Sequence, residues 1–235
     1  MNINVYFDKI YLLNLFKRPE RLFQSSQRLE KSKIIYKTFH GTDGSVLNHV
    51  VNKLDNQYFS NPSYLGCAIS HLSIYQDAIQ NKYERILILE DDNLIKTDIH
   101  QTFESLDIPD WQDLFYLGYI PLSDDLSLWT YEFGIQGHNM ISNNLFRPKN
   151  LWGLFSYGIT SSLMIELLDT YKKSFPMELD RYFVNYIQPR GKSIAISPQL
   201  FCCADGVFSD NSGIIEYNML AKSIDSRFAT SQDYI

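Results

Sequence analysis

Residues 86–92 read Ile-Leu-Ile-Leu-Glu-Asp-Asp, four apolar side chains followed at once by three carboxylates. An apolar run of this length, which begins after Arg85, predicts a short strand buried on both faces of a sheet. Glu90, Asp91 and Asp92 then stand where that strand leaves the core. Because adjacent carboxylates repel and are costly to bury unpaired, they need a cation, nearby Arg or Lys side chains, or full hydration. A hard divalent ion such as Mg²⁺ or Mn²⁺ would offset their charge and leave positions for a diphosphate, whereas a solvated acidic turn is the alternative.

Strands and helices alternate on both sides of this segment. The predicted strands are 9–15, 34–39, 85–89, 114–117 and 193–201, and the predicted helices are 19–31, 63–81, 99–106, 161–173 and 178–188. Such alternation implies crossover helices on both faces of a mostly parallel sheet, which is an α/β fold. Ligands of these sheets bind beyond the carboxyl ends of the strands, where residues 90–92 stand.

The composition favours one folded domain. The chain has 235 residues, of which 45% are hydrophobic and 14% aromatic, and it shows no repeat or linker, so we expect a single domain over residues 1–221 followed by a polar tail at 222–235. The net charge of −6 disfavours nucleic acid as a partner, because a phosphate backbone requires a basic surface. The oligomeric state does not follow from the sequence.

Targeting signals are not visible. No run approaches the ~20 apolar residues that cross a bilayer, and residues 1–8 lack the charged and apolar regions of a secretory signal. Cys67, Cys202 and Cys203 have no CxxC spacing, so buried reduced thiols are the expectation. We therefore expect a cytoplasmic protein without a transmembrane segment, with peripheral membrane attachment left open.

A polar cluster follows the first predicted strand. Asn14, Arg18 and Arg21 lie there, and the planar guanidinium of arginine suits phosphate and polar base recognition. The alternative is an ordinary surface helix start with Glu20 and Arg28 as partners.

Three further residues could take part in chemistry. Asp43, between two glycines, could accept hydrogen bonds from a ribose or base, or could be an ordinary turn aspartate. His71 lies on the predicted helix 63–81 and is either a ligand-binding or a structural histidine. Asp180 could act as a general base, or could be a favourable acidic residue in a first helical turn. No zinc spacing, Walker loop, GxGxxG or GxSxG motif is present.

In order along the chain, these segments resemble glycosyltransferase family 25, which includes lipopolysaccharide galactosyltransferases and collagen hydroxylysine galactosyltransferases. The segments that carry the resemblance are Ile-Tyr-Leu-Leu-Asn-Leu at 10–15 with Arg18 and Arg21, Gly-Thr-Asp-Gly at 41–44, Gly-Cys-Ala-Ile-Ser-His-Leu at 66–72, Leu-Ile-Leu-Glu-Asp-Asp at 87–92, Gly-Leu-Phe-Ser-Tyr-Gly-Ile at 153–159 and Leu-Asp-Arg at 179–181, with a looser match of Pro198 and Ser209-Asp210. Within residues 111–151 we identify no segment that resembles the family, so the acceptor does not follow from the sequence.

The resemblance implies a GT-A-type, Rossmann-like nucleotide-binding fold and a UDP-sugar donor held through a divalent metal, Mn²⁺ or else Mg²⁺. By that resemblance Asp92 contacts the metal, Glu90 supports it through water, and Asp91 bonds the ribose or sugar of the donor. The implied donor-binding residues are Asn14, Arg18, Arg21, Asp43, His71 and Asp91. The family also implies inversion at the transferred sugar, which requires one base.

Asp180 is the expected base, and Glu178, Asp205 and Asp210 are its alternatives. Whether Asp210 contacts the metal or donor stays open. The predicted activity is transfer of galactose or glucose to a hydroxyl of a glycan or of protein hydroxylysine. One alternative is a nucleotidyltransferase, which usually needs a glycine-rich phosphate loop that residues 14–21 lack. The other is a non-catalytic protein that binds a glycan or nucleotide.

Overall fold

The computed structural model describes residues 1–54, 61–121, 139–203, 208–209, 213–214 and 234–235. The described strands are β1 (Lys9–Leu15), β2 (Lys37–Gly41), β3 (Arg85–Glu90), β4 (Asn93–Ile95), β5 (Leu114–Tyr116), β6 (Ile120–Pro121), β7 (Asn139–Met140), β8 (Leu145–Arg147), β9 (Leu151–Trp152), β10 (Ser156–Thr160), β11 (Ile194–Ile196), β12 (Phe201–Cys203), β13 (Phe208–Ser209) and β14 (Gly213–Ile214). The described α-helices are α1 (Ile3–Tyr6), α2 (Pro19–Lys31), α3 (Asn48–Leu54), α4 (Pro62–Gln80), α5 (Ile99–Glu104), α6 (Ser161–Lys173) and α7 (Leu179–Tyr182).

The main sheet has the strand order β2–β1–β3–β10–β5–β11–β8–β7. Strands β2, β1 and β3 are mutually parallel, and β5 is parallel to β11. Strand β10 lies antiparallel between β3 and β5, so the sheet is mixed. Because Leu15 pairs with Gly41 and Leu13 with Glu90, the carboxyl ends of β1, β2 and β3 lie together at one edge. The predicted α/β fold is confirmed.

Each central strand is buried on both faces. Along β1, Tyr11 and Leu13 belong to the core shared with α4 and α6, whereas Ile10 and Leu12 belong to the core shared with α2 and α5. Strand β3 alternates in the same way. This two-sided burial explains why residues 86–89 are all apolar, since successive side chains of a strand point to opposite faces.

Several predicted bounds differ from those observed. Strand β2 begins at Lys37 rather than at residue 34, because Ile34 packs in the core as part of the turn after α2 while Ile35 is exposed. The predicted strand 193–201 is divided into β11, which pairs with β5 and β8, and β12, which pairs with β4. The helix predicted at 178–188 continues from α7 as a π-helical turn, Phe183–Ile187, and then a 3₁₀ turn, Gln188–Arg190.

Tyr234 and Ile235 contact the end of β4, which forms a separate two-stranded sheet with β12. The backbones of Ile95 and Ile235 exchange two hydrogen bonds of 2.8 Å, and Tyr234 forms a bridge to Lys96. Residues 222–233 of the predicted tail lie outside the described residues. Within the described part of the chain, no helix combines the length and the apolar character needed to cross a bilayer.

Candidate active site

A cleft opens at the carboxyl ends of β1, β2 and β3, and it contains about 630 Å³, including space open to solvent. Its walls are β1, α2, α4 and the 3₁₀ helix Gly44–Leu47 that follows β2. The predicted site residues that line it are Asn14, Arg21, Asp43, Glu90, Asp91 and Asp92. The topology therefore gathers residues from three separate segments at the position where α/β sheets bind ligands.

Arg21 is the counter-charge of the acidic segment. Its guanidinium contacts Asp91 Oδ1 and lies 3.2 Å from Asp92 Oδ2. Asn14 Nδ2 donates to Asp91 Oδ2 at 2.6 Å, and Ser25 Oγ donates to the Asp91 carbonyl at 3.0 Å. Two neighbouring carboxylates are thus buried side by side because a nearby arginine offsets their repulsion, which is one of the three solutions predicted from the sequence.

Asp92 retains an acceptor without a partner. Its Oδ1 is buried and has no hydrogen-bond partner in the described structure, and the residue is 7% exposed. Burial raises the pKa of the Asp92 carboxyl to about 7, and the negative charge of Glu90 adds to that effect although Arg21 opposes it. A buried carboxylate with an unsatisfied oxygen and excess negative charge around it is a site that a cation would stabilise.

Glu90 is held by a buried chain of hydrogen bonds. His71 Nε2 lies 3.1 Å from Glu90 Oε1, and His71 Nδ1 lies 2.8 Å from the Tyr157 hydroxyl. The Tyr157 hydroxyl is 2.5 Å from that of Tyr75. His71 is fully buried on α4, so it orients Glu90 from behind the cleft rather than lining it.

Asp43 combines a local structural role with a place in the cleft. Its Oδ1 accepts from the Ser45 backbone N–H at 2.9 Å and so caps the 3₁₀ helix, and it also accepts from Lys17 Nζ at 2.8 Å. The hydrogen bond from Lys17 holds the pKa of Asp43 below its usual range. These contacts match the turn-aspartate interpretation, and the carboxylate still faces the cleft.

Arg18 supports the cleft through its backbone carbonyl rather than by lining it. Its carbonyl accepts from Asn14 Nδ2 at 2.9 Å, which fixes the side chain that binds Asp91. Its guanidinium lies 4.0 Å from Glu20, the helix-start partner considered as the alternative.

Asp180 lies at the start of α7, within electrostatic reach of the cleft. Burial raises the pKa of Asp180, and the charges of Glu178 and Glu90 add to this. Burial raises the pKa of Cys67, which lines the cleft, and the charges of Glu90 and then Asp180 add to that effect. Glu178 is engaged in an ion pair of 2.8 Å with Arg181, whereas Asp180 accepts only the Arg181 backbone N–H, at 2.8 Å, among its described contacts. Asp205 and Asp210 lie outside the described residues.

Three residues of the site were not assigned a role from the sequence. Ser25 follows Arg21 by one helical turn on α2, and that spacing is the signal that could have found it. Cys67 precedes His71 by the same interval on α4. Tyr157 is far from both in sequence, and only the pairing of β10 with β3 brings it to His71.

Close backbone packing holds the cleft wall in place. A Cβ atom on Gly66 would lie 2.6 Å from the backbone nitrogen of Gly44, and one on Gly44 would lie 2.4 Å from the Pro62 carbonyl oxygen. Both distances are too short for any side chain, so α4 and the 3₁₀ helix approach each other only because these two positions are glycine.

Sequence relatives of this chain include proteins named procollagen galactosyltransferase and glycosyltransferase 25 family members named inactive. Procollagen galactosyltransferase 2 of Mus musculus is 29% identical over 130 residues, which are 48% of this chain and 21% of the mouse protein. Inactive glycosyltransferase 25 family member 3 of Mus musculus is 26% identical over 130 residues, with 48% and 22% covered. The match thus spans about a fifth of the length of these relatives.

A solved structure has the same fold. The glycosyltransferase involved in the glycosylation of the major capsid of PBCV-1 aligns with a TM-score of 0.50 and 12% identity, covering 93% of this chain and 98% of that one. The fold is the GT-A type of glycosyltransferases.

A sequence profile described as "Glycosyltransferase family 25 (LPS biosynthesis protein)" matches residues 7–126. That range includes β1, α2, α4 and β3, and with them every residue found lining the cleft. Since the match covers half of the chain and the whole wall of the site, the chain belongs to glycosyltransferase family 25.

Proposed function

We propose that this chain transfers a hexose, galactose or glucose, from a UDP-sugar to a hydroxyl group of a glycan or of protein hydroxylysine. The transfer is metal-dependent and inverts the anomeric configuration. The observation that carries the proposal is the buried Oδ1 of Asp92, which has no hydrogen-bond partner among the described residues and lies in a cleft that Glu90 and Asp91 also line. Family membership and the names of the relatives support a glycosyl transfer reaction.

Asp92 and Glu90 are the residues that would hold the metal. Their donors are hard carboxylate oxygens, which Mn²⁺ and Mg²⁺ prefer. Bound there, Mn²⁺ would supply positive charge that stabilises the diphosphate as it leaves.

The donor would be bound by the residues around Asp91. Asn14 and Arg21 hold that carboxylate in one orientation, so it can accept a hydrogen bond from a ribose or sugar hydroxyl. Asn14 Oδ1 and Arg21 Nε are buried without hydrogen-bond partners in the described structure, and a nucleotide could satisfy both. Asp43 completes this part of the pocket, Arg18 supports it by holding Asn14 through its carbonyl, and His71 acts by orienting Glu90.

Asp180 is the proposed base. Its carboxylate takes the proton of the acceptor hydroxyl while that oxygen forms its bond to the anomeric carbon, and the bond from that carbon to the UDP oxygen breaks. A raised pKa suits this role because it makes the carboxylate a stronger base than an ordinary aspartate.

Calorimetry on an Asp92 variant tests the metal assignment. We expect the wild-type chain to bind UDP in the presence of Mn²⁺, and Asp92→Asn to lose the metal-dependent part of that affinity. Asp98→Asn is the matched control, because Asp98 is exposed and pairs with Lys96 outside the cleft. Unchanged affinity in Asp92→Asn, or no dependence on Mn²⁺ in the wild type, would remove Asp92 from the metal site.

Incubation with labelled UDP-galactose and UDP-glucose distinguishes a glycosyltransferase from a nucleotidyltransferase and from a non-catalytic binding protein. Transfer or slow hydrolysis of the donor indicates a glycosyltransferase, whereas exchange of the nucleotide indicates a nucleotidyltransferase. A non-catalytic binding protein is the second candidate, favoured by the relatives named inactive, and it would bind UDP without turnover. The anomeric configuration of the product, read by proton NMR, tests inversion.

A further inference from the structure

Cys67, His71 and Glu90 form a compact cluster of three different donor types. One ligand atom of each, a sulfur, a ring nitrogen and a carboxylate oxygen, lies within 4.8 Å of the other two. Cys67 and His71 are four residues apart on α4 and so share one face of that helix, and Glu90 is the last residue of β3. Cys67 and Glu90 line the cleft, while His71 is fully buried behind them.

The far side of the imidazole has the partner that a metal-binding histidine requires. Such a histidine normally hydrogen-bonds through its other ring nitrogen, which fixes its tautomer and orientation. His71 Nδ1 lies 2.8 Å from the Tyr157 hydroxyl, which lies 2.5 Å from that of Tyr75. Without a metal, Nε2–H donates to Glu90 and Nδ1 accepts from the Tyr157 hydroxyl. On metal binding the proton would move to Nδ1, from which His71 donates to Tyr157 and Tyr157 donates to Tyr75, so that the lone pair of Nε2 could bond the ion.

The chemistry of the cluster differs from that of Asp91 and Asp92. One thiolate, one imidazole and one carboxylate suit a borderline-soft ion such as Zn²⁺, whereas an all-oxygen set suits harder ions. Zinc bonds of about 2.0–2.3 Å place tetrahedral ligands roughly 3.3–3.7 Å apart. His71 Nε2 and Glu90 Oε1 are already 3.1 Å apart, and a donor pair as far apart as 4.8 Å needs to close by roughly 1 Å, which rotation of the Cys67 and Glu90 side chains can provide.

We propose that Cys67, His71 and Glu90 are a second metal site, which binds Zn²⁺ through one sulfur, one nitrogen and one oxygen and leaves the fourth position open to the cleft. On binding, the Cys67 thiol gives its proton to water and the thiolate bonds the ion. The carboxylate of Glu90 lies beside the Cys67 thiol, and a divalent ion held there would offset its negative charge.

Glu90 belongs both to the zinc site and to the metal site that it forms with Asp92, so we expect the two ions to compete for it. Zn²⁺ held by Cys67 and His71 would draw Glu90 away from Asp92 and so weaken metal-dependent nucleotide binding. This consequence rests on the proposed function, whereas the existence of the zinc site does not.

Cobalt spectroscopy on the metal-stripped full chain tests the site without donor or acceptor. Co²⁺ bound to a thiolate gives a near-ultraviolet charge-transfer band, and we expect the wild-type chain to develop this band and to lose it when Zn²⁺ is added. Cys67→Ser should lack the band, and the matched control Cys202→Ser should keep it. Competition with a chromogenic chelator should show zinc affinity about tenfold lower or worse in Tyr157→Phe, because the outer hydrogen bond of His71 is lost.

Circular dichroism and thermal unfolding check that each variant folds. If Cys67→Ser does not fold, His71→Gln replaces it as the variant that lacks one metal ligand. The absence of the cobalt band in the folded wild type, or its persistence in Cys67→Ser, overturns the site. To test the competition for Glu90, the affinity for UDP in the presence of Mn²⁺ is measured with and without Zn²⁺. We expect Zn²⁺ to lower this affinity in the wild type but not in Cys67→Ser. An equal response of both proteins would overturn the competition while the cobalt result for the site stands.

Discussion

Arg21 is the residue on which the electrostatics of the cleft depend. It contacts Asp91 and Asp92 together, two adjacent carboxylates that are 6% and 7% exposed, and its positive charge offsets the repulsion between them. Its charge does not neutralise all three acidic groups, since Glu90 still raises the pKa of Asp92. The cleft therefore keeps a net negative region that favours a cation.

Asp180→Asn should lower turnover about 10²–10⁴-fold while donor affinity changes little, because only proton removal from the acceptor is lost. The raised pKa of Asp180 also predicts that wild-type activity falls as the pH drops through that pKa, at a higher pH than for an ordinary aspartate. Steady-state kinetics over a pH series and calorimetry with UDP measure the two effects.

Asp169→Asn is the control for Asp180→Asn, since Asp169 is exposed and pairs only with Lys173 in the described ion pairs. Near-normal transfer by Asp180→Asn would make the assignment wrong and would direct attention to Glu178, Asp205 and Asp210.

The close contact between α4 and the 3₁₀ helix Gly44–Leu47 shapes the cleft. Gly66→Ala would place a methyl group 2.6 Å from the Gly44 backbone, so one of the two helices must move. We expect a loss of roughly 1–3 kcal/mol in the free energy of unfolding, as for other overpacking substitutions. Urea unfolding measures it, with Gln76→Ala on the exposed side of the same helix as control; equal stabilities for both variants would show that the helices separate at no cost.

An ion pair joins helix α6 to the 3₁₀ turn Gln188–Arg190. Arg190, in the turn before β11, makes two hydrogen bonds to the Glu166 carboxylate on α6, and these hold the pKa of Glu166 below its usual range. A carboxyl whose pKa is lower in the folded state stabilises the fold above its unfolded pKa, and this contribution is lost as the pH falls through the folded pKa.

Glu166→Gln should therefore lower the thermal midpoint at neutral pH, and the difference from the wild type should vanish in acid. The effect is expected to be about 1 kcal/mol or less, because the Glu166 side chain is 42% exposed and solvent screens the pair. Calorimetric scans at several pH values check it, and a difference that persists in acid would assign the effect to packing instead.

For the molecule as a whole, the cleft joins β1, α2, β3 and α4, so a ligand that binds there should stabilise the entire fold. UDP with Mn²⁺ at about 100 times the dissociation constant should add about 2.7 kcal/mol to the stability. Thermal shift assays should show this gain in the wild type, with its metal-dependent part lost on addition of EDTA and absent in Asp92→Asn. A gain that EDTA leaves intact would exclude metal-dependent donor binding.

Local patterns were sufficient for much of the architecture. The predicted bounds of β1, α2 and α6 agree with those observed, because each is delimited by a nearby signal, such as Pro19 in the first turn of α2 or Thr160 capping α6. The π-helical turn after α7 and the division of the predicted strand 193–201 were missed, since both depend on which neighbours those residues pack against. Nothing in a local window distinguishes a strand that stays in one sheet from one that changes partner.

The amino-acid order alone indicated the α/β class, the place of the cleft and the acidic residues in it, because hydrophobic periodicity and the position of charge after a strand are local properties. It did not indicate that Arg21 bridges Asp91 and Asp92, or that His71 lies between Glu90 and Tyr157. Those contacts join segments about 70 or more residues apart, or lie on facing elements, and their distances are set by the register of β3 against β1 and β10. Such distances exist only once the sheet has formed and packed.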